Sequence, residues 1–179
     1  MTLVLGFAPF ILFAVLSRLS ADLALWAAFA AAFVVTIRDF VESPSLRMLD
    51  VGNLALFGVL ALLRGFLAPA LLSSEVLVWA VAALFLFLLL STSLLRGKPF
   101  SLEYAHGTAA ERADPLFMRV NIVISGIWAA AFAAMAAMDF LVFFARLPLW
   151  PAIAISVAAI AIAITFTLRY PAYAAAHRR

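Results

Sequence analysis

The chain has 179 residues, of which 68% are apolar and 12% charged, and it carries a net charge of +3. An average soluble domain is about half apolar and about a quarter charged, so this composition excludes a water-soluble globule. The basic residues stand singly between apolar runs, which argues against a nucleic-acid-binding face, and the absence of cysteine excludes disulfide, iron–sulfur and zinc-thiolate chemistry.

A mean hydropathy of +1.19 and apolar runs near the roughly 20 residues needed to cross roughly 30 Å of hydrocarbon make lipid the solvent. The expected fold is therefore all-α, a polytopic integral membrane protein of about six transmembrane helices in one domain. Interruptions in hydropathy place the spans near residues 3–17, 22–37, 48–63, 75–95, 120–138 and 150–168. The first run lacks a basic segment ahead of it, so it reads as a retained helix rather than a signal peptide. Helices one and two form a tight hairpin around Arg18 and Asp22, and Ser43-Pro44-Ser45 marks the turn into helix three. After Arg64, the stretch from Gly65 to Pro69 mixes breakers with apolar residues, as an interfacial segment does.

Helix four leads into the longest polar stretch, residues 96–119. Two helix-start signals lie in it: Thr108-Ala-Ala-Glu111 fits a capping box, and Asp114-Pro115 puts an acceptor at the N-cap with proline at the first helical position. The second signal starts helix five about a turn before the membrane. Helices two, five and six are alanine-rich, and small residues let backbones approach, so these three are the expected packed interior.

Charge sets the expected orientation. Nine of the twelve basic residues fall on the side of the 96–119 loop and three, Arg18, Arg64 and Arg146, on the other. The positive-inside rule then puts both termini and this loop in the cytoplasm.

Among polar residues, Asp139 follows nineteen uncharged residues and precedes the apolar Phe140 to Phe144. An intramembrane carboxylate suggests a cation or proton site; the simpler reading places it in the interface, neutralised by Arg146. Arg64, Glu75, Asp139 and Arg146 all fall toward the outer face, as a transporter vestibule or as ordinary snorkelling charges. Asp50 and Asn53 lie early in helix three, where Asp50 complements the helix dipole. His106 and His177 lie outside the spans and Lys98 is in a loop, so neither an axial-histidine haem nor an intramembrane Schiff base is expected. No cofactor or metal is expected. Ser91, Thr92 and Ser93 read as hydroxyls bonded to helix backbone rather than as nucleophiles. On the cytoplasmic side, Lys98, Pro99, Glu103, Arg112, Arg119 and Asn121 are the interaction candidates, for a protein partner, for anionic headgroups through the basic residues, or as a solvated loop.

Gly97-Lys98-Pro99 after helix four, Arg119-x-Asn121 opening helix five with Trp128 inside it, and Ala8-Pro9-Phe10 in a short first helix together resemble the bacterial intracellular septation protein A family, also called the inner membrane-spanning protein family. The order of hairpins, loop and final helices is similar along nearly the whole chain. The resemblance implies a bacterial inner-membrane protein that supports envelope maintenance or septation through division or envelope-synthesis partners. It implies no cofactor and no enzymatic site. Asp139 departs from the pattern, standing where an uncharged polar residue is expected. Two readings follow: a non-enzymatic interaction protein in the bilayer, or a small transporter or channel acting as a homo-oligomer.

Overall fold

The computed structural model describes residues 6–17, 19–42, 47–67, 74–105 and 114–176. It is all-α, with no strand among the described residues. Six α-helices occur in chain order among the described residues: α1 (Ala8–Leu16), α2 (Ala21–Glu42), α3 (Met48–Leu62), α4 (Glu75–Leu95), α5 (Pro115–Ala145) and α6 (Trp150–Ala176). A π-helical turn, Leu63–Leu67, extends α3, and a 3-10 turn, Phe100–Glu103, follows α4.

Five of these segments are long and apolar enough to cross a bilayer: Ala21–Val41, Met48–Leu67, Glu75–Leu95, Pro115–Ala145 and Trp150–Ala176. The protein is thus a multi-pass membrane protein. The described part of α1 has nine residues, about 14 Å of helix, which is half of the hydrocarbon thickness. Among the described residues the crossing helices are therefore five, where hydropathy alone suggested six.

The chain forms two compact units, Met1–Ala82 and Ala83–Arg179. In the first, α1 and α3 both pack along α2. Pro9 sits in the first turn of α1, where its missing N–H costs nothing. The buried Asn53 Nδ2 donates to Gly6 O at 2.7 Å, tying α3 to the entry of α1. Phe13 seats its ring 5.5 Å from that of Phe57 and 6.4 Å from that of Trp79. Ser20 Oγ accepts from Leu23 N at 3.4 Å and starts α2, with Asp22 in its first turn.

The α2–α3 hairpin is pinned at both ends. Asp39 pairs with Arg47 beside the connection, and Asp22 Oδ1 accepts from Arg64 Nε at 2.6 Å at the far end. Both pairs, and the contact of Thr36 Oγ1 with Asp50 O at 3.4 Å, are equidistant in sequence from position 43, so the helices keep one antiparallel register throughout. The two ion pairs are separated by 17 residues on each helix, about 25 Å, so they bracket most of the hydrocarbon layer. Between them Gly58 faces Phe29 so closely that a Cβ there would lie 3.0 Å from the ring. The π turn contains Arg64, and Phe66 in the same turn sets its ring 6.4 Å from that of Trp26. Phe66 and Leu67 are exposed.

In the second unit, α5 packs along α6 and holds the 3-10 turn. α5 is much longer than residues 120–138, because capping starts it early. Asp114 Oδ1 accepts from Leu116 N at 2.9 Å with Pro115 at the first position, as expected from the dipeptide. The Thr108-to-Glu111 capping box lies outside the described residues. At its other end, α5 stops at Arg146, which adopts φ 53°, and Leu147 N donates to Val142 O at 3.1 Å. α6 departs from the expected packed interior. Its buried residues are Ala152, Ser156 and Ala163, whereas Ala158 and Ala161 are exposed. One stripe of small residues suffices to meet α5, and the remaining alanines serve helix propensity rather than packing. Pro171 stands inside α6 without ending it.

Candidate functional site

Two places gather the polar residues. The first is the connection after α4. That helix closes with a Schellman motif: Gly97 adopts φ 67°, Lys98 N donates to Ser93 O at 3.1 Å and Gly97 N to Leu94 O at 2.9 Å. The positive φ explains the glycine, and Pro99 prevents the helix from resuming. Gly97-Lys98-Pro99 is thus a helix stop.

Beyond it the chain folds back onto the helices. Phe100, Ser101 and Tyr104 are buried, with the rings of Phe100 and Tyr104 meeting edge to face at 6.4 Å. Phe100 N donates to Ser93 Oγ at 3.3 Å and Ser101 N to Ser125 Oγ at 3.4 Å. Ser101 Oγ donates to Asn121 Oδ1 at 2.8 Å and accepts from Ser125 Oγ at 3.1 Å, while Asn121 Nδ2 donates to Phe117 O at 2.9 Å. Asn121 and Ser125 are four residues apart on α5, one helical turn, so both reach the same turn of the loop.

The six interaction candidates divide accordingly. Pro99 and Asn121 are buried and hold the loop in place, so they are not available as direct contacts. Lys98, Glu103 and Arg119 are exposed. Arg112 lies outside the described residues. Arg96 and Gly97 are also exposed, so the anchored turn presents both charge signs. Thr92 Oγ1 donates to Leu88 O and Ser93 Oγ to Leu90 O, both at 2.7 Å, in line with the backbone-bonding role expected of these hydroxyls.

The second place is Asp139. It is 2% exposed, and its Oδ1 has no hydrogen-bond partner among the described residues. The expected neutralisation by Arg146 does not occur: Arg146 is exposed and forms no ion pair with it among the described residues. Arg146 sits in the left-handed cap that ends α5. A charged aspartate in a span is costly, most of all at mid-bilayer, so a buried carboxylate with no cation side chain paired to it among the described residues is a candidate for function. Of the other two outer candidates, Arg64 belongs to the first unit and is paired with Asp22, and Glu75 is exposed in the first turn of α4.

Three polar groupings escaped sequence reading: the buried Asp39 beside Arg47, the exposed Asp22 with Arg64, and the buried set of Ser101 with Asn121 and Ser125. The first two carry a legible signal, opposite charges placed symmetrically about a helical hairpin. Ser101 carries none, because only the fold-back brings it to α5. Asp50 is buried in the first turn of α3, where its charge complements the dipole as expected. Along α6, Ala161, Ile162, Thr165, Phe166, Arg169 and Tyr170 line an open apolar groove of about 600 Å³.

Compared with known proteins, the chain matches no family model, no curated protein and no solved structure.

Proposed function

We propose that the chain is a non-enzymatic protein of the bacterial inner membrane that supports envelope maintenance or septation by binding protein partners through the turn after α4. In this reading the chain crosses the membrane six times, and both termini and residues 96–119 face the cytoplasm, the side that carries nine of the twelve basic residues. The observation that carries the reading is the folded turn. Buried Phe100, Ser101 and Tyr104 anchor it on α5 and leave Lys98, Glu103 and Arg119 presented. A preorganised surface loses less conformational entropy on binding than a loose loop does. The septation assignment draws on the residues similar to the intracellular septation protein A family.

Photocrosslinking in native membranes tests it. A crosslinker at Lys98 or Glu103 is expected to capture division or wall-synthesis membrane proteins, and one at Leu149, beyond α5, is not. An absence of such partners, together with normal growth and division after gene deletion, overturns the proposal.

A second reading, a small transporter or channel, is favoured by one observation, the buried Asp139 with an unpartnered oxygen. Uptake of a solute or ion into vesicles that disappears with Asp139→Asn supports this alternative.

A further inference from the structure

The α5–α6 hairpin has a readable register. Trp128 Nε1 donates to Thr167 Oγ1 at 3.0 Å, and these two residues are equidistant from the midpoint of the connection, between positions 147 and 148. Asp139 and Ser156 are also equidistant from that midpoint, so they lie at one level of the hairpin. Each is eleven residues from its counterpart in the Trp128–Thr167 bond, close to three full turns, which returns it to the same face of its helix. Burial agrees with this geometry: Trp128, Phe132, Met135 and Asp139 form the buried stripe of α5, and Ala152, Ser156 and Ala163 that of α6.

Both residues hold an oxygen with no partner. Asp139 Oδ1 and Ser156 Oγ are unpartnered among the described residues, at 2% and 9% residue exposure. Two oxygens thus lie on the facing stripes of α5 and α6 at the same depth, one of them on a carboxylate that pairs with no cation side chain among the described residues. Oxygen donors select hard cations. A single carboxylate matches a single positive charge, and among the described residues no group of three His, Cys, Asp or Glu side chains offers a multivalent site. Ala136, Ala152 and Ala163 are buried along the same interface, and small residues bring the backbones close, which favours a small ion over a large one. Asp139 and Ser156 each lie six residues inside the helix ends at Ala145 and Trp150, about 9 Å of helix, near enough to the headgroups for an ion to enter with part of its water.

We propose that Asp139 and Ser156 form an intramembrane binding site for one hard monovalent cation of sodium or lithium size between α5 and α6. The carboxylate supplies the charge, the hydroxyl supplies a second oxygen, and the bound ion clamps the two helices at this level. The site is independent of partner binding at the turn after α4.

Thermal unfolding of the full chain in lipid nanodiscs tests the site, with choline chloride replaced by sodium, lithium or potassium chloride at constant ionic strength and pH. Sodium or lithium is expected to raise Tm by a few degrees in a saturable way, potassium less. Asp139→Asn and Ser156→Ala each abolish the rise, and Glu75→Gln keeps it. Radioactive sodium binds at one ion per chain and is lost in the same two variants. If Asp139→Asn does not fold, Ser156→Ala carries the test, because it removes one buried hydroxyl that has no partner among the described residues. The proposal is overturned if Tm is the same in all four salts. It is equally overturned if the rise survives in Ser156→Ala, or if stability responds to acid alone with no difference between alkali cations, which assigns the carboxylate a proton.

Discussion

Arg146 shows what one residue contributes at a helix end. It holds a left-handed conformation at the C-terminus of α5, which any side chain with a Cβ adopts at a cost and glycine adopts freely. Replacing Arg146 by glycine is expected to stabilise the protein by about 1 kcal/mol, read from denaturant unfolding in detergent. A loss of stability instead would mean that its side chain makes an interaction that outweighs the strain. At the same scale, Asp114-Pro115 was legible in the sequence because capping involves only neighbours along the chain. That Asp139 stands amid apolar residues was legible too, but not that its face lies on the α5 stripe toward α6 without pairing to Arg146, since hydropathy places a residue along a helix and does not say which neighbour its face meets. Gly97-Lys98-Pro99 lies between these cases. It stands out in the sequence, and its role becomes clear only with the positive φ of Gly97 and the carbonyls of Ser93 and Leu94.

Between elements, the α2–α3 hairpin carries two ion pairs of unequal burial. The Asp39 side chain is 8% exposed beside Arg47, whereas that of Asp22 is 62% exposed beside Arg64. Breaking a buried pair leaves an uncompensated charge and costs about 3–5 kcal/mol; an exposed pair is worth at most about 1 kcal/mol. Arg38 Nε, 3.7 Å from the Asp39 carboxylate, keeps part of that charge compensated when Arg47 is lost, so Arg47→Ala is expected to destabilise the protein more than Arg64→Ala but by less than the full cost of a stranded buried charge, measured by unfolding of both variants under one set of conditions. Equal losses would contradict the burial difference. Helix positions were legible from hydropathy, and α4 occupies residues 75–95 as expected. Helix lengths were less so: α2 runs on to Glu42 and α6 to Ala176, because polar residues end an apolar run without ending a helix. The outward alanines of α6 show the same limit, since composition does not distinguish a stripe used for packing from helix-favouring residues on the opposite face.

For the molecule as a whole, the proposed topology follows the positive-inside rule, which puts the side richer in arginine and lysine in the cytoplasm. The turn after α4 and residue Glu75 then fall on opposite sides of the membrane, as does Leu149 relative to that turn. The native chain has no cysteine, so single cysteines introduced at exposed Glu75, Leu149, Lys98 and Glu103 report without background. In intact bacterial cells or spheroplasts a membrane-impermeant maleimide is expected to label the variants at 75 and 149, and to label those at 98 and 103 only after permeabilisation. Labelling of positions 98 and 103 from outside, or of all four positions without permeabilisation, would contradict the account.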